Sequence, residues 1–215
     1  ESMIMRVYRQ ASRVAPGVRI VVATGKKQIS AIRNQLGDRV DICVEPDRRD
    51  TFPAICLAAS FLADERKVPG EEPVIICPVD PYVEDSYFEA FAEMAALAAE
   101  NRAALTLLGL EPTYPSEKYG YIIPEDGERV SRVAAFKEKP DLSTARQYLA
   151  QGALWNGGVF ACRLDYLLEK AHERLDFTDY RDLYGRYADQ EKISFYYAVA
   201  EREDRIQVLR YSGTW

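Results

Sequence analysis

The chain has 215 residues, 47% of them hydrophobic, which is enough to bury a sizeable core and fits one large domain better than two small ones. Its net charge of −6 is spread over interspersed acids and bases, so no basic stripe points to nucleic acid and no polybasic or long apolar segment points to a membrane. The expected compartment is the cytoplasm. Four cysteines, Cys43, Cys56, Cys77 and Cys162, lie singly in apolar runs and read as reduced core residues, without zinc-site pairing or the density of a disulfide scaffold. The single histidine, His172, falls in a surface helix, which argues against a histidine base or a histidine-rich metal site.

Residues 2–14 carry Ile4, Val7, Tyr8 and Ala11 at helical spacing, and Pro16-Gly17 ends the run. A β-branched strand at 19–23, an amphipathic helix at 27–36 closed by Gly37, and a strand at 40–44 then give a βαβ rhythm. After Glu45-Pro46 a helix starts with Asp50 or Thr51 as cap and Pro53 in its first turn, running through Leu62. Pro73-Val74-Ile75-Ile76-Cys77 reads as a strand buried on both faces, with Asp80 just past its carboxyl end. Ser86-Tyr87-Phe88-Glu89 has the form of a capping box opening a helix whose apolar stripe reaches Ala99. A strand follows at 103–110. The second half changes character: strands at 119–124 and 130–137 flank the turn Glu125-Asp126-Gly127, a local antiparallel insertion. A helix at 142–151, a strand at 155–162, helices at 166–174, 180–187 and 193–201, and a strand at 206–211 complete the pattern. The expected fold is α/β, a doubly wound, mixed but mostly parallel sheet of Rossmann-like kind with a small antiparallel insertion. Neither end shows a natural start or stop, so both termini are expected to be interrupted.

Chemistry-bearing residues gather at predicted strand ends. In open α/β sheets ligands lie outside the carboxyl ends of strands, so Asp80 can hold a divalent cation for phosphates, or it can simply cap a turn. Phe136-Lys137-Glu138-Lys139-Pro140 sets a carboxylate beside an ammonium, suited to sugar hydroxyls and a phosphate, or equally a solvated ion pair. Trp155-Asn156-Gly157-Gly158 offers an amide and two glycines for close approach, or a bulge. Gly120, between Tyr119 and Tyr121, is a third place of close approach.

In this order, EPDRRDTFPAI at 45–55, CPVD at 77–80, YGYI at 119–122, FKEKP at 136–140 and WNGGVF at 155–160 resemble the sugar-nucleotide pyrophosphorylases, and within them the mannose-1-phosphate guanylyltransferases. ISFYYAVAER at 193–202 and YSGTW at 211–215 are similar to the same family's later motifs. The resemblance implies a nucleotidyltransferase domain of GT-A-like fold over residues 1–215, and a reaction of GTP with mannose-1-phosphate that yields GDP-mannose and pyrophosphate. It implies Mg²⁺ as cofactor with Asp80 as its ligand, Asp80 and Lys139 as catalytic residues, and Glu45, Thr51, Gly120, Glu138, Asn156 and Gly157 as substrate contacts. A carboxylate at Glu45 accepts from guanine N1–H and its exocyclic amine, a pair adenine lacks; alternatively Glu45-Pro46 only ends a strand. No nucleic acid or membrane partner is implied, and a homodimer is allowed for.

The departures keep two other readings open: a catalytically silent binding or regulatory domain, and a pyrophosphorylase for another hexose-1-phosphate. The family opens with a glycine-rich loop bearing an arginine and a lysine, places a second Mg²⁺-binding aspartate beyond the glycine-tryptophan segment, and in its long members ends in a left-handed β-helix. None of these lies within the 215 residues. Pro81 stands where the family usually has histidine, and Tyr196 where an aspartate is common.

Overall fold

All eight apolar runs read as strands form, with bounds shifted by a residue or two, and they sort into a two-stranded parallel sheet and a six-stranded mixed one. The computed structural model describes residues 2–213. These fall into two compact units, residues 2–72 with 164–198, and residues 73–163 with 199–213. Among the described residues no helix is long and apolar enough to cross a membrane.

In the first unit, α1 (Met3–Val14) is capped by Ser2, whose hydroxyl accepts from Met5 N–H. Strands β1 (Val21–Gly25) and β2 (Asp41–Glu45) pair in parallel from Val21 with Asp41 to Gly25 with Glu45. The crossover helix α2 (Ile29–Leu36) is entered by a 3₁₀ turn at Lys26–Gln28. Its buried face, Ile32 and Leu36, joins Val40 as a core on which Ile4, Met5, Tyr8, Ile20, Val22 and Ile42 pack. Helix α3 (Thr51–Asp64) has Asp50 as its cap, the carboxylate accepting from Thr51 N–H at 2.7 Å. Phe52, Cys56, Leu57 and Phe61 of α3 are buried, and the helix packs on α6 (Leu164–Arg174), α7 (Tyr180–Gly185) and α8 (Phe195–Ala198).

The last helices are shorter than their periodicity predicts. α7 stops at Gly185 and Tyr187 enters a 3₁₀ turn, Tyr187–Asp189. The stretch read as a helix from 193 begins instead with long-range bonds: Ile193 N–H donates to Arg49 O, and Phe195 N–H to Thr51 Oγ1 at 2.8 Å. Backbone groups committed to a distant loop cannot also start a helix, so α8 keeps four residues.

The second unit is built on β3 (Pro73–Ile76), β4 (Leu105–Leu110), β5 (Tyr121–Pro124), β6 (Val130–Lys137), β7 (Leu154–Arg163) and β8 (Ile206–Tyr211), in the spatial order β3-β7-β4-β8-β6-β5. The pairings set β3, β4, β5 and β8 in one direction and β6 and β7 against them. β4, fully buried along its length, is the centre; α4 (Asp85–Glu100) covers β3, β4, β7 and β8, and α5 (Leu142–Ala150) lies on β5. The antiparallel hairpin β5–β6 forms as expected.

Two expectations fail here. β3 is not buried on both faces: among the described residues it pairs only with β7, antiparallel, and all four of its residues are half-buried, as befits an edge. Ser86 does not cap α4, which starts earlier with Glu84 in the cap position; the Ser86 hydroxyl is 2.8 Å from that of Tyr211.

Candidate active site

Pairing register alone assembles one cluster in the second unit. Tyr121 of β5 is the partner both of Trp155 on β7 and of Lys137 on β6, so the residues just outside those pairs, Gly120, Asn156 and Glu138, must converge. They do: Asn156 N–H donates to Gly120 O at 2.8 Å. A Cβ placed on Gly120 would lie 2.5 Å from Glu138 Oε2, 3.2 Å from Phe136 Cζ and 3.3 Å from Asn156 Cβ, so any larger residue there would displace the Glu138 carboxylate.

Between Leu107 and Gly109 the partner on β7 moves from Phe160 to Asn156, two residues of β4 facing four of β7. The extra residues form a bulge around Gly157-Gly158, and Gly158, at φ 75°, takes the backbone shape that glycine accepts most readily. Asn156 Oδ1 accepts from Gly158 N–H at 3.2 Å, which fixes the amide side chain over the bulge. Gly157 itself packs on Leu110, whose Cδ1 would be 3.0 Å from an added Cβ.

Glu138 is the most unusual group of this cluster. Its side chain is only 12% exposed, Lys139 Nζ stands 3.5 Å from Oε1, and the buried Oε2 has no hydrogen-bond partner among the described residues. Burial holds its carboxyl above the ordinary range, Lys139 pulls it back, and Glu201 adds a push upward. Lys139 adopts φ 45°, rare for a residue with a side chain and disfavoured further by Pro140 behind it. Its ammonium is largely exposed. Buried oxygens without partners are uncommon in folded proteins, and this one lies against the backbone of Gly120, where no side chain intervenes.

Asp80 is exposed in the loop after β3, two residues beyond Pro78, which packs 3.6 Å from where a Gly158 Cβ would be. Among the described residues no group of three metal-ligating side chains comes together. A magnesium ion held mainly by substrate phosphates and water asks for only one or two protein carboxylates, and Asp80 fits that smaller demand.

In the first unit Glu45 ends β2, half-buried, and Tyr187 O–H donates to its Oε2 at 3.1 Å. Burial raises the Glu45 carboxyl while the phenol, and then the Arg48 charge, lower it. Thr51 opens α3, and its hydroxyl is engaged as acceptor for Phe195 N–H.

Three features escape a reading of the sequence. Tyr187 is 142 positions from Glu45 and carries no local signal of that contact. Glu201 lies in a stretch whose spacing predicts only a helix, yet its charge reaches Glu138. Tyr114 and Tyr119 stand with ring centroids 5.0 and 4.8 Å from buried Trp155, next to Asn156, contacts that their spacing in the sequence does not announce. Of the closing YSGTW motif, Thr214 and Trp215 lie outside the described residues.

Residues 1–197 match the family model described as Nucleotidyl transferase. The chain is similar to the Xanthan biosynthesis protein XanB of Xanthomonas campestris pv. campestris (strain B100), at 36% identity over 174 residues covering 79% of this chain and 36% of that protein. It is also similar to the Mannose-1-phosphate guanylyltransferase of Escherichia coli, at 29% identity over 223 residues covering 92% of this chain and 46% of that one. The chain thus spans between 36% and 46% of the length of these two relatives. Among solved structures, the mannose-1-phosphate geranyltransferase from Thermus thermophilus superimposes with a TM-score of 0.83 at 28% identity, over 100% of this chain and 65% of that one.

Proposed function

The chain belongs to the nucleotidyl transferase family, and on that premise we propose that the protein is a mannose-1-phosphate guanylyltransferase, making GDP-mannose and pyrophosphate from GTP and mannose-1-phosphate in the cytoplasm. A phosphate oxygen of the sugar phosphate attacks the α-phosphorus of GTP. One P–O bond forms there, the bond to the bridging oxygen breaks, and its electron pair leaves with pyrophosphate. No covalent protein intermediate is needed, so the protein acts by positioning and by neutralising charge.

The observation that carries this reading is the unpartnered Glu138 Oε2 beside Gly120. A hexose hydroxyl is a donor suited to such a carboxylate oxygen, and any side chain at Gly120 would press on that carboxylate. The Asn156 amide adds a polar contact, and Lys139, already next to Glu138, extends its exposed ammonium to the sugar phosphate. Glu45 accepts from the two adjacent N–H groups of guanine, with Thr51 and Gly157 contributing through the backbone they order. Asp80 would hold Mg²⁺, which when bound offsets the crowded negative charge of the phosphates.

The test is pyrophosphate release by the full-length gene product supplied with Mg²⁺, GTP and mannose-1-phosphate, with ATP and glucose-1-phosphate as competitors. The expected result is turnover that prefers GTP and mannose-1-phosphate. Preference for a different sugar phosphate would reassign the hexose, and no turnover with any pair would leave a silent binding domain as the better reading.

A further inference from the structure

Glu45 faces a problem of geometry as much as of charge. To accept from two adjacent donors of a flat base, both carboxylate oxygens must lie in the plane of that base, yet a glutamate at a strand end has several rotatable bonds and many other orientations. The structure contains a device that removes this freedom. Tyr187 O–H donates to Glu45 Oε2 at 3.1 Å, and the tyrosine itself is 0% exposed, so the donor cannot follow a wandering carboxylate.

The turn carrying Tyr187 is tied down on both sides. Arg49, in the loop that follows β2, donates from Nε to Ala188 O at 2.9 Å, and Gln190 donates to Arg186 O at 2.9 Å while its own N–H reaches Tyr187 O at 3.2 Å. The Arg186 guanidinium in turn grips Asp182, Nη2 to Oδ2 at 2.7 Å. β2, the loop after it and the 3₁₀ turn are therefore one braced assembly with a phenol aimed at the strand-end acid. Each carboxylate oxygen can accept more than one hydrogen bond, so the phenol occupies one site on Oε2 and leaves Oε1 and the rest of Oε2 for a ligand.

We infer that Tyr187 is a positioning residue for base selection: it locks the Glu45 carboxylate in the orientation that reads two neighbouring N–H donors, and so sharpens the choice of guanine over adenine. The inference rests on the reading of Glu45 as the base contact. Donation from the phenol also favours the ionised acceptor against its burial, which a reader of two donors requires. Tyr187 touches neither base nor phosphate in this scheme; it acts through Glu45 alone.

The experiment measures kcat/KM for GTP and for ATP, with saturating sugar phosphate, in the full-length protein and in E45Q, Y187F and the double variant, with melting temperatures alongside. E45Q is expected to lower the GTP-over-ATP ratio by about tenfold or more. Y187F, which keeps the ring and its packing, is expected to lower it by about threefold to tenfold, through KM for GTP with kcat nearly unchanged. The double variant should be no worse than E45Q, because Tyr187 has nothing left to orient. If E45Q lowers the ratio while Y187F leaves it intact, or if the two losses add in full, Tyr187 is only a core residue and the inference is overturned while the base reading stands. If E45Q leaves the ratio unchanged, the base reading falls and takes the inference with it. Should Y187F fold poorly, 3-fluorotyrosine placed at 187 retains the donor and should keep the wild-type ratio; a lost ratio in that folded variant would also overturn the inference.

Discussion

Glu45 at the end of β2 and Glu138 just past the end of β6 are both part-buried carboxylates whose acidity is weakened first of all by burial. Their completion differs. Glu45 has the Tyr187 phenol on Oε2, whereas Glu138 has a neighbouring ammonium on the Oε1 side and, among the described residues, no donor on Oε2. A desolvated oxygen without a partner costs on the order of 1–3 kcal/mol, and folded proteins rarely leave one without cause. The protein braces one acid and leaves the other incomplete, which is the difference expected between an acid held ready by the fold and one finished by its ligand.

The largest predicted effect tests whether the incomplete side does chemistry at all. Asp80 is exposed in a loop, where an acid adds little to packing, so Asp80→Asn should leave the melting temperature nearly unchanged while turnover falls below detection. Substantial residual turnover in that variant would remove Asp80 from the site. A second substitution presses on Glu138 directly. Gly120→Ala puts a Cβ 2.5 Å from Glu138 Oε2, so the carboxylate must shift, and KM for the sugar phosphate should rise by about tenfold or more with KM for GTP unmoved. A uniform loss for both substrates would show that the cluster supports the fold rather than a sugar.

Glu138→Gln is gentler, because shape is kept and only the charge is removed. Sugar-phosphate affinity should fall by roughly 1–3 kcal/mol and GTP affinity should hardly change. Titration of each ligand separately decides it; equal losses would place Glu138 elsewhere than at the sugar.

What can be read from the sequence, and what cannot, follows the same division between local and distant causes. Runs such as Leu105–Leu110 and Ile206–Tyr211 form strands because their own apolar, extended character dictates it, and Asp50 caps α3 with its own carboxylate. The placement of β7 between β3 and β4 has no local signature, which is why β3 proves to be an edge strand and not a doubly buried one. Asn156-Gly157-Gly158 is legible both as a bulge and as a place of close approach, and the structure makes it a bulge that carries Asn156 to Gly120. Glu45 and Glu138 are legible as candidates because strand-end acids are; the phenol behind one and the unpartnered oxygen of the other depend on residues far along the chain.

The smallest effect separates the two acids by stability alone. A carboxyl whose folded pKa lies above its unfolded value contributes stability that is complete below the unfolded pKa and is lost as pH rises through the folded one. Glu138 is in that position, since burial outweighs the pull of Lys139. The amide introduced by Glu138→Gln does not titrate, so this variant should melt close to the wild type under acid conditions, below the ordinary carboxylate range, and above it at neutral pH. The gain should be modest because Lys139 and solvent screen the charge. Glu45→Gln should show the same sign with a smaller gain, because in the wild type Tyr187 donates to the charged form and offsets part of the burial. Melting curves of the two variants and the wild type across that pH range supply the comparison. A larger neutral-pH gain at Glu45 than at Glu138 would mean that the phenol does not support its carboxylate, and the contrast between the braced and the incomplete acid would be lost.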